Sequence, residues 1–245
     1  RRFFEKACDQ ADRLNDHVWD GAVLFTLGDM FSGFIHEELA ETNEDTMHGS
    51  LVYWVPQVAA GIRLLAQHFG KVHVVWVVGN HSRNGKKPRG KKRARDNWDW
   101  LAGQMVKAHL EGDDRVTWDI SDGPDAVTPI YDTTFVATHG DRVGGGHGIG
   151  GIWPPMMRMV AKTRQTYQVQ GIPVDCVVMG HWHQYVPAST QGFVVSGSLK
   201  GWDEYAATRG FPPEPPQQAF MVVTPSHGIT LHAPLFVADR RAEGW

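Results

Sequence analysis

Residues 174–183 read VDCVVMGHWH. The first six positions are almost all apolar or β-branched, as in a strand buried inside a parallel sheet. The run stops at Gly180-His181-Trp182-His183, where a glycine and two imidazoles follow the apolar stretch. Three other stretches repeat this pattern. AVLFTL (22–27) stops at Gly28-Asp29, and VHVVWVV (72–78) stops at Gly79-Asn80-His81. A strand predicted over 133–138 stops at His139-Gly140-Asp141.

Helical periodicity fills the intervals. Phe3, Phe4, Ala7, Cys8, Ala11, Leu14 and Val18 share one face of a helix predicted over 2–19. Further helices are expected over 46–69, 96–110 and 156–169, the last entered through Pro154-Pro155. Short strands are expected near 115–120 and 126–130. The tail, 186–236, reads as short strands with turns, broken by the Pro-rich segment 211–216. No internal repeat and no domain boundary stands out. The reading is one α/β domain over residues 1–245.

Bulk composition narrows the function classes. Apolar residues make up 42% and charged residues 21%, enough for a substantial core. A net charge of -3 argues against a globally basic nucleic-acid binder but leaves room for a local basic patch. The two cysteines, Cys8 and Cys176, lie far apart and fit a reducing, cytoplasmic setting. No apolar run of about 18 residues predicts a membrane span, so no membrane partner is expected. Residues 1–20 are too charged for a signal peptide.

The strand ends carry the chemistry. Ligand sites in α/β sheets gather at the carboxyl ends of strands. Four segments therefore bring Asp, Asn and His side chains toward one edge. Mixed oxygen and imidazole donors suit Mn²⁺, Fe²⁺ or Zn²⁺ better than Ca²⁺ or a thiolate site.

GD, GNH, HG and GHxH, in that order and each after a strand, resemble the calcineurin-like metallophosphoesterase family over residues 22 to 200. Each motif alone is weak; the ordered set is specific. The stretch Gly197-Ser-Leu-Lys-Gly-Trp-Asp-Glu204 further resembles phage-type or prokaryotic members. The resemblance implies a metallophosphoesterase-type β-sandwich of two mixed sheets flanked by helices. It implies two divalent ions, Mn²⁺ foremost, with Fe²⁺, Zn²⁺ or Mg²⁺ as alternatives. Asp29 would bridge them. Asn80, His139 and His181 would bind the second ion, and His183 the first. His81 would be the catalytic residue beside the scissile phosphate, assisting the leaving oxygen. Hydroxide activated by the ions would cleave a phosphodiester.

The chain departs from the family pattern in one respect that matters. Asp-x-His, which completes the first metal site, is absent. Asp16-His17 is adjacent, and Asp45 and His48 have the wrong spacing. Two explanations stay open: the first strand lies outside this chain, or the site is degenerate and holds one metal. In addition, GNH is followed by Ser82 where many members carry an acidic residue.

Substrate class is read from a basic loop. Arg83, Lys86, Lys87, Arg89, Lys91, Lys92, Arg93 and Arg95 place eight cations within thirteen residues. Beside a phosphate-cleaving motif such a loop can hold a polyanion, and Trp98 and Trp100 can stack on bases. The substrate-binding set is therefore Arg83, Lys86, Lys87, Arg89, Arg142 and His147, with DNA as a candidate substrate. The bland alternative is a solvated charge run. The Gly-rich stretch 143–151, flanked by Arg142 and Arg158, reads as a phosphate-binding loop or a surface lid. His36-Glu37 is not HExxH, because position 40 is alanine. The rival functional reading is a non-catalytic or single-metal module that binds polyanions. Oligomeric state is left open.

Overall fold

The computed structural model describes residues 1–14, 18–144, 151–202, 204–208, 210 and 213–238. The chain divides into two compact units. The first comprises Arg1, Phe3–Ala126 and Ala137–Asp141; the second comprises Arg2, Val127–Val136 and Arg142–Trp245.

The first unit is built on a three-stranded parallel sheet. Its strands are β1 (Ala22–Thr26), β2 (Val72–Trp76) and β3 (Val116–Ile120), in the order β1-β2-β3. Ala22 pairs with Val72, and Val72 with Val116, so the strands run in step. Parallel strands need crossover connections. Helix α3 (Met47–Phe69) returns the chain from β1 to β2, and α4 (Trp98–His109) from β2 to β3. The central β2 carries the driest residues, with Val74, Val75 and Trp76 at 0% exposure. Edge strand β1 is only partly buried at all five positions.

Helix α1 (Arg2–Asp12) buries Phe4, Ala7, Cys8 and Ala11. It is shorter than the periodicity predicted, and positions 15–17, including Asp16 and His17, lie outside the described residues. Phe4 lies against Gly61 of α3, where a Cβ would come within 2.1 Å of the ring. A short helix, α2 (Glu37–Thr42), was not predicted. It buries no residue, so it leaves no apolar stripe to read.

The second unit centres on a mixed five-stranded sheet. Strands β4 (Asp125–Ile130), β5 (Thr133–Thr138), β6 (Cys176–Met179), β7 (Val186–Ala188) and β8 (Phe193–Val195) stand in the order β4-β5-β6-β8-β7. β6 and β8 run parallel, β7 and β8 antiparallel. Helix α5 (Trp153–Gln168) takes its two prolines in the first turn, where a missing N–H costs nothing. Its Met156, Met159 and Val160 form a core with Val177, Met179, Phe193 and Val195. A short helix α6 (Glu204–Thr208) precedes a long antiparallel hairpin, β9 (Gln217–Thr224) and β10 (Gly228–Phe236).

The architecture is thus the α/β class expected, with two principal sheets and flanking helices. Among the described residues, no helix is long and apolar enough to cross a membrane.

Candidate metal centre

The site in the first unit starts from two glycine turns. β1 and β2 are adjacent and parallel, so the segments after them leave the sheet side by side. Gly28 has φ +82, and a Cβ on it would sit 2.2 Å from the Gly79 nitrogen. A Cβ on Gly79 would sit 2.0 Å from Asp29 Oδ1. Only glycines let the two turns touch backbone to backbone. Asp29 follows in the left-handed region, at φ 54. That conformation is uncommon for a residue with a side chain and is held by its surroundings.

The holding group is Asp99, which the sequence reading passed over. It lies in the first turn of α4 and is 0% exposed. Its Oδ2 accepts the backbone N–H groups of Asp29 and Gly79, both at 2.9 Å. Its Oδ1 accepts the Met30 N–H at 3.2 Å and the Ser82 hydroxyl at 2.7 Å. One carboxylate therefore ties the GD turn to the GNH turn. Burial, then the nearby Asp29 charge, push its carboxyl upward, while the Ser82 and Gly79 hydrogen bonds pull it down. Asn97 caps α4 by accepting from Asp99 N–H at 2.8 Å, and its amide donates to the Gly79 carbonyl at 2.9 Å. The sequence does carry a signal: Asn97-x-Asp99 stands at a predicted helix start, where a capping amide and a first-turn acid are favoured.

His139, the first residue after β5, is 1% exposed. Its Nδ1–H donates to the Leu27 carbonyl at 2.6 Å. Its Nε2 lies 2.9 Å from Asn80 Oδ1 and 2.9 Å from Asp29 Oδ2. A neutral ring with its proton on Nδ1 would set an Nε2 lone pair against two oxygen acceptors. The arrangement demands a positive charge at that point. In the metal-free protein a second proton supplies it. Burial opposes the imidazolium, yet the Asp29 charge and hydrogen bond outweigh it and raise His139 to about 9. Burial likewise opposes the charge on Asp29, but His139 and His81 hold that carboxyl well below its ordinary range. A divalent cation meets the same demand, and the Nδ1–H bond to a carbonyl is how metal-binding imidazoles are oriented. Asp29, Asn80 and His139 thus fit a metal.

His81 donates its backbone N–H to Asp29 Oδ1 at 2.8 Å, and its Nδ1 bonds the Ser32 carbonyl at 3.1 Å. That bond leaves Nε2 available for a substrate. The His36 ring lies 5.4 Å from it, a neighbour that the sequence reading set aside.

In the second unit, β6 is buried at all four positions and ends at Met179. Trp182 N–H bonds back to the Gly180 carbonyl at 2.8 Å in a tight turn. His181 and His183 both have positive φ, 68 and 53. Among the described residues five non-glycines do so, and three of them are the predicted ligands Asp29, His181 and His183. Strained backbone of this kind costs about 1–3 kcal/mol per residue and clusters at functional sites.

The substrate-binding candidates are placed as follows. Arg83 is half-buried and donates to the carbonyls of Asn80, Gly85 and Lys86. Lys86 pairs with Glu37. Lys87 and Arg89 are exposed on the loop, and Arg142 is exposed in the second unit. His147 lies outside the described residues. Trp98 and Trp100 are half-buried, and Trp100 Nε1 donates to Asp122 at 3.2 Å.

No protein-family model matches the chain, and no curated protein matches it. Among solved structures it is similar to wild-type Vps29 complexed with Zn²⁺ from Entamoeba histolytica, at 11% identity and a TM-score of 0.34, covering 87% of this chain and 97% of that one. It is also similar to Vps29 from Cryptosporidium parvum, at 12% identity and a TM-score of 0.34, covering 81% of this chain and 82% of the other. A likeness this distant carries no weight for fold or chemistry, which rest on the chain's own strand order and donor geometry.

Proposed function

We propose that the chain is a metal-dependent phosphoesterase that hydrolyses a phosphodiester, with a nucleic-acid strand as substrate. One observation carries this reading. Asp29, Asn80 and His139 converge on a point that requires a cation, each just past the carboxyl end of a strand, where such folds bind ligands. In this proposal His181 and His183 add imidazole donors. Asp29 and His139 supply a carboxylate and an imidazole, donors of the kind that hold a divalent ion. We read the ions as two, with Mn²⁺ preferred.

When bound, the ions would supply the Lewis acidity that makes water nucleophilic near neutral pH. The chain's own residues do the rest. In the metal-free protein His139 and His81 keep Asp29 ionised and so ready to hold the ions. Asp99 holds the two ligand turns together. His81, its ring fixed by the Ser32 carbonyl, delivers a proton or positive charge to the leaving oxygen. We read residues 1–245 as one domain. We place the protein in the cytoplasm, where its two free, buried cysteines stay reduced.

The test is turnover of bis-p-nitrophenyl phosphate with Mn²⁺. EDTA should abolish it. Asp29→Ala should remove it, and His81→Ala should lower kcat by about 10²–10⁴-fold, the usual worth of a proton-transferring group. Unchanged turnover in both variants would end the hydrolase reading. Metal bound without turnover would favour the non-catalytic reading.

A further inference from the structure

The loop 83–95 encloses a cavity of about 280 Å³. Its lining carries the cations Arg83, Lys87, Arg89, Lys91, Lys92 and Arg93 against one carboxylate, Asp96, and it reaches Asn80, the candidate ligand. A solvated charge run would splay its like charges apart, because each unpaired cation repels the next. This loop does the reverse. Arg83 is tied to three backbone carbonyls. Arg93 is paired with Asp141 at 2.7 and 2.9 Å, and Arg95 with Asp122 at 2.6 Å. Asn84 donates to Asp96 at 2.6 Å, and Lys92 sits at φ 58. These anchors hold the loop in shape. Lys87, Arg89, Lys91 and Lys92 are exposed and have no acidic partner among the described residues. On the same lining the Nε–H of Arg93 has no acceptor among the described residues.

Four cations without an acidic partner, on a loop held in shape and facing a cavity with a single carboxylate, make an anion site. We infer that this cavity binds a phosphate of the substrate strand other than the one cleaved. The substrate would then be a strand bearing several phosphates, not an isolated phosphoester. The inference rests on the proposed function for its substrate, but the cavity can be tested without turnover.

The first measurement is fluorescence anisotropy of a labelled oligothymidylate of about ten nucleotides, in EDTA. Wild type should bind it. Lys87→Ala/Arg89→Ala/Lys91→Ala should bind about tenfold more weakly or worse, with the slope of log affinity against log salt reduced by about 0.7 per cation lost. The single variant Lys91→Glu should weaken binding in the same direction. Affinity within about twofold of wild type in both variants would overturn the inference. So would displacement of the strand by inorganic phosphate at equal phosphate concentration, since that marks a site for small anions only. The second measurement, with Mn²⁺, is the ratio of kcat/KM on the oligonucleotide to kcat/KM on bis-p-nitrophenyl phosphate. The triple variant should lower that ratio about tenfold, and an unchanged ratio would overturn the inference. Absence of turnover on both substrates would sink the hydrolase reading alone, leaving the anisotropy result to decide the cavity.

Discussion

Asp99 shows how one side chain can organise a site it does not belong to. Its carboxylate is the acceptor for three backbone N–H groups and one hydroxyl, all drawn from the two ligand turns. Removing it strands those donors in a dry environment, at about 1–3 kcal/mol for each that water fails to reach. Asp99→Ala should therefore lower stability by about 3 kcal/mol or more, read by urea denaturation. Asp99→Asn keeps the shape but turns an amide toward donors. It should leave the protein folded while weakening Mn²⁺ binding on the order of 10-fold, read by calorimetry. Equal metal affinity in Asp99→Asn and wild type would show that Asp99 supports the fold only.

Among elements, the decisive ones are the glycine turns after β1 and β2. Each candidate ligand sits one residue past a glycine whose missing Cβ makes room for the other turn. Gly79→Ala drives a methyl group into the Asp29 carboxylate, with 2.0 Å to Oδ1 and 2.3 Å to the Asp29 nitrogen. The expected loss is roughly 1–3 kcal/mol of stability, the usual cost of overpacking. Metal affinity should fall about 10–100-fold as Asp29 is displaced. Gly85→Ala, in the basic loop with nothing within 4 Å of its would-be Cβ, is the control and should change neither. Similar behaviour of the two variants in thermal melts and metal titrations would refute the account of the turns. The same element level separates readable from unreadable features. The helices over 47–69 and 98–109 and strand β5 came out where periodicity placed them. Helices α2 and α6, of 6 and 5 residues, are too short to show a period.

For the whole molecule, the buried Asp29–His139 pair links stability to pH. His139 is raised from 6.5 to about 9, so its contribution is fully present below about 6.5 and is lost as pH rises through about 9. Asp29 is held below its ordinary value, so its contribution is present above about pH 4 and is lost as pH falls through its folded value. In EDTA the melting temperature should therefore decline from pH 6.5 toward 9, and the gap between wild type and His139→Gln should narrow over that range. A divalent metal bound at His139 would take the place of the Nε2 proton. It should cancel the alkaline decline and add about 2.7 kcal/mol at a hundredfold excess over Kd. A gap between wild type and His139→Gln that stays constant with pH would rule out the protonated pair.

What the amino-acid order determined alone was local. Alternating apolar runs and helical stripes are written within a few residues, and so are the polar clusters that end each strand. Asp29, Asn80 and His139, which the fold brings within hydrogen-bond distance, were legible as candidates for that reason, as was the α/β class. Only the tertiary structure decided which of the eight loop cations are already neutralised, because Arg93 meets Asp141 and Lys86 meets Glu37 across 48 and 49 positions. It also decided that a carboxylate on α4 accepts from both glycine turns and from the Ser82 hydroxyl. Pairing between distant residues depends on where folded elements meet, and burial then sets which of those pairings carry a charge.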